Sequence, residues 1–384
     1  AGEDLLRAGK VAAFTVAGGQ GSRLGYDGPK GCFPGGAVTS KPLFACLADW
    51  IHSAQDRYGA TVPWYIMTSP LNHEATVGFF EENDHFGLDP ANIMFFPQGV
   101  LPSFDMNTGT ILLAQKHEVA TNPDGHGGSL RALAQSGALA DMKRRGVEHI
   151  SYVQIDNPLA RVVDPIFIGL HATAPDSSGE MSTKVVAKTE AGEKVGVVCT
   201  IDGKPGVIEY SDLPEATAAQ RNPDGTLTLR AGNIALHMLG RSFVERITSG
   251  DLALPYHRAE KKVPCIDPES GQTLDPSEPN GIKLEMFVFD AIPLCEQSIV
   301  YEVERTDEFA PIKNAEGNDS PASSARLQTE RAAAWLEARG VSIPRGADGS
   351  PHCVLEISPR TATRPDELDP STIDPIKPGE KRLI

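Results

Sequence analysis

Short apolar runs alternate with longer stretches of helical spacing through the first half of the chain. Val11-Ala12-Ala13-Phe14-Thr15-Val16 reads as a buried strand. The pattern then predicts a helix over Lys41–Tyr58, a strand over Trp64–Thr68, and a helix capped by Asn72 that runs through Glu82 and carries Phe79 and Phe80. Ile93–Phe96 reads as a strand, Ser129–Arg145 as one helix stopped by Gly146, and His149–Ile155 as another strand. This alternation predicts an α/β fold with a mostly parallel sheet and helices on both faces.

From Lys184 to Ile234 the texture changes. β-Branched runs (Val185-Val186, Val195–Thr200, Val207–Tyr210) are separated by Asp202-Gly203 and Pro223-Asp224-Gly225. They predict antiparallel hairpins, inserted in the same domain. The polar stretch Asn314–Asp319 marks a boundary. Ser320 and Pro321 then open a helix at N-cap and N1, and Gly340 ends it. The tail, rich in Pro and charge, is expected to lie on the surface.

The chemistry concentrates after the first strand. Val16-Ala17-Gly18-Gly19-Gln20-Gly21-Ser22-Arg23-Leu24-Gly25 is followed by Gly28-Pro29-Lys30-Gly31. A strand, a glycine-rich loop and two cations suit a phosphate chain, because bare backbone N–H groups can approach it closely. A P-loop is excluded, since Lys30 is followed by Gly31 rather than Ser or Thr. A dinucleotide fingerprint is disfavoured, since Leu24 stands where it needs a small residue. Ligands on such sheets bind beyond the strand C-termini. The loop after Val16, Gln98 after Phe96 and Asp156 after Ile155 all fall there.

The loop resembles the signature of sugar-nucleotide pyrophosphorylases. Phe96-Pro97-Gln98, Asn122-Pro123-Asp124-Gly125-His126-Gly127-Gly128, Asp156-Asn157, Gly196-Val197-Val198-Cys199, Val207-Ile208-Glu209-Tyr210-Ser211, Ala231-Gly232-Asn233-Ile234 and Ile312-Lys313-Asn314-Ala315 follow in order. Together they resemble the eukaryotic-type UDP-N-acetylhexosamine pyrophosphorylases, from about Lys10 to Cys353–Pro359. The resemblance implies a Rossmann-like sheet of the sugar-nucleotidyltransferase type, an antiparallel β insertion over the sugar site, and a small C-terminal domain. The implied division is a catalytic domain over 1–313 and a small domain over 314–384. Members of that family carry a longer N-terminal region. A chain that opens without Met, almost at the loop, is expected to be a trimmed or processed form.

The implied reaction joins UTP and a sugar 1-phosphate to give a UDP-sugar and pyrophosphate. By resemblance, Arg23, Lys30 and Lys313 carry the phosphates, and Asp156 holds Mg²⁺, which takes one or two carboxylates plus phosphate oxygens and waters. Asp124 is either a second ligand or a Pro-Asp-Gly turn residue. Uracil selection falls on Gln98 and on backbone near Ala17, Gly18, Gly19 and Gly125. Glu209, Asn233, Gly196, His126 and Asn157 complete the substrate-binding set. N-Acetylhexosamine enzymes read Asn where this chain has His126, and a Gly-His-Gly there resembles UDP-glucose and broad UDP-sugar pyrophosphorylases. The implied sugar is an N-acetylhexosamine, with glucose as the alternative. A nucleotide-sugar-binding protein without turnover is a further alternative, disfavoured because Arg23, Lys30 and Asp156 are all present.

The net charge of −16 argues against nucleic acid or an anionic membrane as partner, so phosphate attraction must come from a local cation cluster. Six scattered cysteines, none in a C-x-x-C pair, suggest neither zinc nor a disulfide framework and suit a cytoplasmic protein. The oligomeric state stays open between a monomer and a weak homodimer.

Overall fold

The computed structural model describes every residue of 1–384 except Ala253 and Pro268. A nine-stranded mixed sheet forms its centre. In chain order the strands are β1 (Val11–Val16), β2 (Trp64–Thr68), β3 (Ile93–Pro97), β4 (His149–Gln154), β5 (Met181–Ala187), β6 (Val197–Ile201), β7 (Lys204–Ile208), β8 (Ala231–Gly240) and β9 (Val300–Glu302). The main path runs β7-β6-β8-β4-β1-β2-β3, with β5 paired to both β8 and β9. The β3-β2-β1-β4 half is parallel throughout, as the alternation predicted.

Residues of β1 alternate between two cores. Val11 and Ala13 join one cluster with Leu47, Ile51 and Trp64, while Ala12 and Phe14 join the other with Tyr65, Leu130 and Tyr152. Each fully buried Leu, Ile or Phe contributes ~1.5–3 kcal/mol, so this two-sided burial fixes the strand's place. The helices that cover these faces include α1 (Leu43–Tyr58), α2 (His73–Glu82), α3 (Gly128–Gln135), α4 (Ala138–Arg145), α5 (Pro165–Thr173) and α6 (Arg241–Thr248), whereas α7 (Pro321–Ala338) packs on a third cluster.

Several boundaries differ from the sequence expectations. Helix α1 begins at Leu43, because Pro42 is extended and serves as N-cap. The single helix expected over Ser129–Arg145 is two helices, α3 and α4. Gly137 at φ +84° breaks it, since only a residue free of Cβ strain sits easily there. The antiparallel strands are not a separate layer: β8 pairs with β4, so the insertion continues the main sheet. Asp202 and Gly203 at φ +50° and +81° turn the β6–β7 hairpin as predicted.

The tail does more than cover the surface. Ser320 caps α7 in a capping box with Ser323. Behind α7, Val354–Glu356 pairs in parallel with Lys381–Leu383 over a core of Trp335, Leu336, Leu355 and Ile357. Glu356 then accepts from Val38 N, Thr39 N and Thr39 Oγ1 at 2.8–2.9 Å, and Gln328 brackets Gly35 O and Ala37 N. The C-terminal segment thereby grips the chain that follows Lys30. Among the described residues, no helix is long and apolar enough to cross a membrane.

Candidate active site

The glycine-rich loop leaves the C-terminal end of β1 and closes on itself. Ala17 N donates to Met67 O at 2.7 Å, Gly21 N to Gly28 O at 2.9 Å and Lys30 N to Gly19 O at 3.0 Å. Gly25 and Gly28 take φ +67° and +140°, which explains glycine at both. Arg23 sits exposed on the short Ser22–Leu24 turn, without an acidic partner among the described residues. Asn72 holds the loop from beneath. Fully buried, it donates to Ala17 O at 3.0 Å and Gly19 O at 3.2 Å and accepts from Ser69 N at 2.8 Å. Asn72 does stand at the N-cap of α2, as expected, but its side chain caps nothing there. Sequence reasoning missed this role because helix capping is the commoner use of Asn before a helix.

Gln98 follows β3 and lies over Gly18. A Cβ at Gly18 would stand 3.1 Å from Gln98 Nε2, so the glycine makes room for the amide. Next to it, Gly99 O accepts from Asp124 N at 3.1 Å, which brings the 124–128 loop alongside.

Asp124 is 2% exposed, and its Oδ1 has no hydrogen-bond partner. Burial pushes its pKa up to about 6, against the pull of Arg131. Its carboxylate is packed where Cβ atoms at Gly99 and Gly128 would fall, 2.6 and 2.2 Å away. This enclosure does not suit Mg²⁺, which keeps several waters, so the turn reading fits Asp124 better than the metal reading. Gly125 at φ +84° presses on Met286, 2.4 Å from a notional Cβ. His126 is half-buried. Its Nδ1 accepts from Val288 N at 3.1 Å and its ring stacks on Phe287 at 5.1 Å. Burial pushes its pKa down to about 4, so the ring is neutral, and only Nε2 carries a hydrogen.

Asp156 follows β4. Its carboxylate has Lys30 Nζ at 4.0 Å and accepts no side-chain hydrogen bond among the described residues, while its backbone O accepts from Ile312 N at 2.8 Å. A half-buried, unengaged carboxylate at a strand end fits a single Mg²⁺ ligand. Asn157 departs from its predicted role. Its Oδ1 accepts from Leu159 N and Ala310 N, and its Nδ2 donates to Glu308 O at 2.6 Å. It is 4% exposed, so its amide positions the 308–313 segment rather than facing solvent. That segment delivers Lys313, whose backbone N donates to Asp319 O at 2.6 Å. The charges of Lys313 and Asp156 both act on the Asp319 carboxyl, which burial raises.

Gly196, Glu209 and Asn233 meet on β6–β8. Asn233 N donates to Gly196 O at 2.8 Å, and a Cβ at Gly196 would stand 3.1 Å from Glu209 Oε2. Asn233 Oδ1 accepts from Ala235 N, which fixes a positive-φ kink in β8. Burial, with Asp212 nearby, raises the Glu209 carboxyl, and His257 and Lys313 draw it back. His257 Nε2 pairs with Asp290 Oδ2 at 2.7 Å, and its ring lies 4.2 Å from Phe287, the ring that also carries His126. His257 and Asp290 escaped sequence reasoning because no motif surrounds them.

Contacts and charge interactions thus run from Gln98 and Gly18 through the Asp124–His126 loop to Glu209, Lys313, Asp156 and Lys30, with His257, which was not predicted, between His126 and Glu209. A cleft of about 1020 Å³ between the 189–195 loop and α7 borders it at Asn314 and Asp319 and contains none of the predicted site residues. No cluster of three or more metal-ligating side chains occurs among the described residues.

Residues 2–323 match the family model described as UTP–glucose-1-phosphate uridylyltransferase. The chain is 39% identical over 354 residues to UDP-N-acetylglucosamine pyrophosphorylase of Saccharomyces cerevisiae, covering 90% of this chain and 73% of that protein. It is 40% identical over 371 residues to human UDP-N-acetylhexosamine pyrophosphorylase-like protein 1, covering 91% and 72%. A crystal structure of the Trypanosoma brucei UDP-N-acetylglucosamine pyrophosphorylase superposes with a TM-score of 0.80 at 29% identity, over 95% of this chain and 76% of that one. On these matches the chain belongs to the UTP–glucose-1-phosphate uridylyltransferase family.

Proposed function

We propose that this protein joins UTP and N-acetylglucosamine 1-phosphate to form UDP-N-acetylglucosamine and pyrophosphate. The observation that supports the proposal is the placing of Lys30 Nζ 4.0 Å from Asp156 Oδ2 beyond β1 and β4, with Ile312, the neighbour of Lys313, bonded through its N to Asp156 O. The sugar phosphate oxygen attacks the α-phosphorus of UTP in line, and pyrophosphate leaves. The attacking oxygen is already ionised at neutral pH, so no general base is required. Positioning and charge stabilisation are what such a transfer needs.

Arg23 and Lys30 bind the triphosphate and stabilise charge on the leaving pyrophosphate. The loop N–H groups around Ala17–Gly19 and the Gln98 amide select uracil by pairing with its donor and acceptor edges. Lys313 reaches the phosphates from the opposite wall. Glu209, with Asn233 and Gly196, takes the sugar hydroxyls. Asp156 would hold Mg²⁺, which when bound supplies neutralisation between the two polyanions. The catalytic work is assigned to 1–313 and support of the loop after Lys30 to 314–384. All six cysteines are free thiols, which supports placing the protein in the cytoplasm.

The sugar choice rests on names borne by the relatives, with glucose 1-phosphate as the competing substrate through His126. Kinetics of Arg23→Ala and Lys30→Ala test the assignment. Loss of one transition-state cation lowers turnover by ~100- to 1,000-fold. Wild-type turnover in either variant contradicts it.

A further inference from the structure

Lys184 is an unusual residue to find inside this sheet. It is fully buried on β5, at the point where the pairing of β5 with β8 shifts register. Its Nζ donates to Asp164 Oδ2 at 2.5 Å and to Glu308 Oε2 at 2.6 Å, and it stands over the rings of Phe167 and Tyr301 at 5.2 and 5.7 Å. A buried ammonium is strongly disfavoured unless it is paired and hydrogen-bonded, and this one is paired twice.

Both partners are tied to structure that matters nearby. Asp164 Oδ1 accepts from Ile166 N and caps α5, so one carboxylate fixes a helix and the cation together. Glu308 lies at the start of the segment that ends at Lys313. Arg161 stands 3.6 Å from the other Glu308 oxygen and 3.7 Å from Asp307. Asn157, next to Asp156, takes the backbone on both sides of Phe309 through Glu308 O and Ala310 N. Ile312 N then binds Asp156 O. From Glu308 to Ile312 the chain is therefore held at the Glu308 side chain and at backbone groups that include Glu308 O, Ala310 N and Ile312 N, with Ala310 O also accepting from Ser324 Oγ, and Lys313 is the next residue.

We propose that Lys184 is a positioning residue: by binding Glu308 against Asp164, it fixes the 308–313 segment and sets Lys313 beside Asp156 in the crevice. The inference rests on the role given to Lys313 above. Lys184 touches no reacting atom and acts through the chain it holds. A small displacement of a phosphate-binding cation is costly, because near-attack geometry tolerates little error.

Removing Lys184 outright strands two buried carboxylates and endangers folding, so the milder Glu308→Gln is the first variant. Steady-state kinetics with UTP and N-acetylglucosamine 1-phosphate are measured for wild type, Glu308→Gln, Lys313→Ala and the double variant. Glu308→Gln is expected to lower kcat by ~10- to 100-fold. KM for UTP should change by less than ~2-fold, and in the Lys313→Ala background the same change should lower kcat by less than ~2-fold further. Amide exchange at Ala310 and Ile312 should speed up in Glu308→Gln. A Glu308→Gln enzyme with wild-type kcat, or one whose loss multiplies in full with that of Lys313→Ala, overturns the inference. Wild-type turnover in Lys313→Ala alone overturns instead the reading of Lys313, and the inference with it.

Discussion

Lys30 and Asp156 face each other across the crevice at 4.0 Å, Nζ to Oδ2, a charge pair that stops short of a hydrogen bond. A pair at that spacing leaves the carboxylate free for a cation and the ammonium free for phosphate. Asp156→Asn should therefore mimic metal removal: turnover falls by ~100- to 1,000-fold, as it does for wild type in excess EDTA. Titrating activity against Mg²⁺ checks this. Full activity in EDTA contradicts it.

Asn72 gives the loop its floor, with two donations to loop carbonyls and an acceptance from Ser69. Asn72→Ala leaves several of these buried groups unpaired and should cost ~2–4 kcal/mol of stability. Because Ala17 O and Gly19 O are freed, KM for UTP should rise as well. Urea unfolding with parallel kinetics reads both, and a variant unchanged in either respect detaches Asn72 from the loop.

How much of this was legible in sequence depends on the range of the interaction. The strand Val11–Val16 and the loop glycines are set by neighbours within a few residues, and they read correctly. The break between α3 and α4 depends on Gly137 alone, inside otherwise helical spacing. Lys184 pairs with residues 20 and 124 positions away, and Glu356 reaches back 318 positions to Val38, so no local pattern announces either. His126 was legible as a departure from the family motif, but not its bond to Val288 N.

Acid should destabilise the fold early. Burial lowers the pKa of His126 to about 4 and of His171 and His237 to about 3. Unfolded histidines bind protons near pH 6.5 while these stay neutral, so stability falls as pH drops below about 6.5. Three such groups give a slope approaching ~4 kcal/mol per pH unit. Urea midpoints at pH 7.5, 6.5 and 5.5 check it, and a flat profile contradicts it.

Asp124 works in the opposite sense. Its carboxyl is raised to about 6, so the folded state binds the extra proton between roughly pH 4 and 6 and loses stability as pH rises through that window. Asp124→Asn should stabilise by ~1–3 kcal/mol at pH 8 and by much less at pH 5. If Asp124 held the metal, Mg²⁺ would instead raise the melting temperature of wild type and not of the variant.

With its Nδ1 accepting from Val288 N, the neutral His126 ring has Nε2–H as its remaining donor. Such a donor suits a sugar hydroxyl. His126→Asn should shift preference away from glucose 1-phosphate by ~1–3 kcal/mol, about 5- to 150-fold. An unchanged ratio removes His126 from sugar selection.

The most direct test of the account is pyrophosphate release from UTP and Mg²⁺ with N-acetylglucosamine 1-phosphate and glucose 1-phosphate offered separately. The account predicts a higher kcat/KM for the N-acetylated sugar, with UDP-N-acetylglucosamine as the product. Pyrophosphate release with neither sugar, or a higher kcat/KM for glucose 1-phosphate, contradicts it.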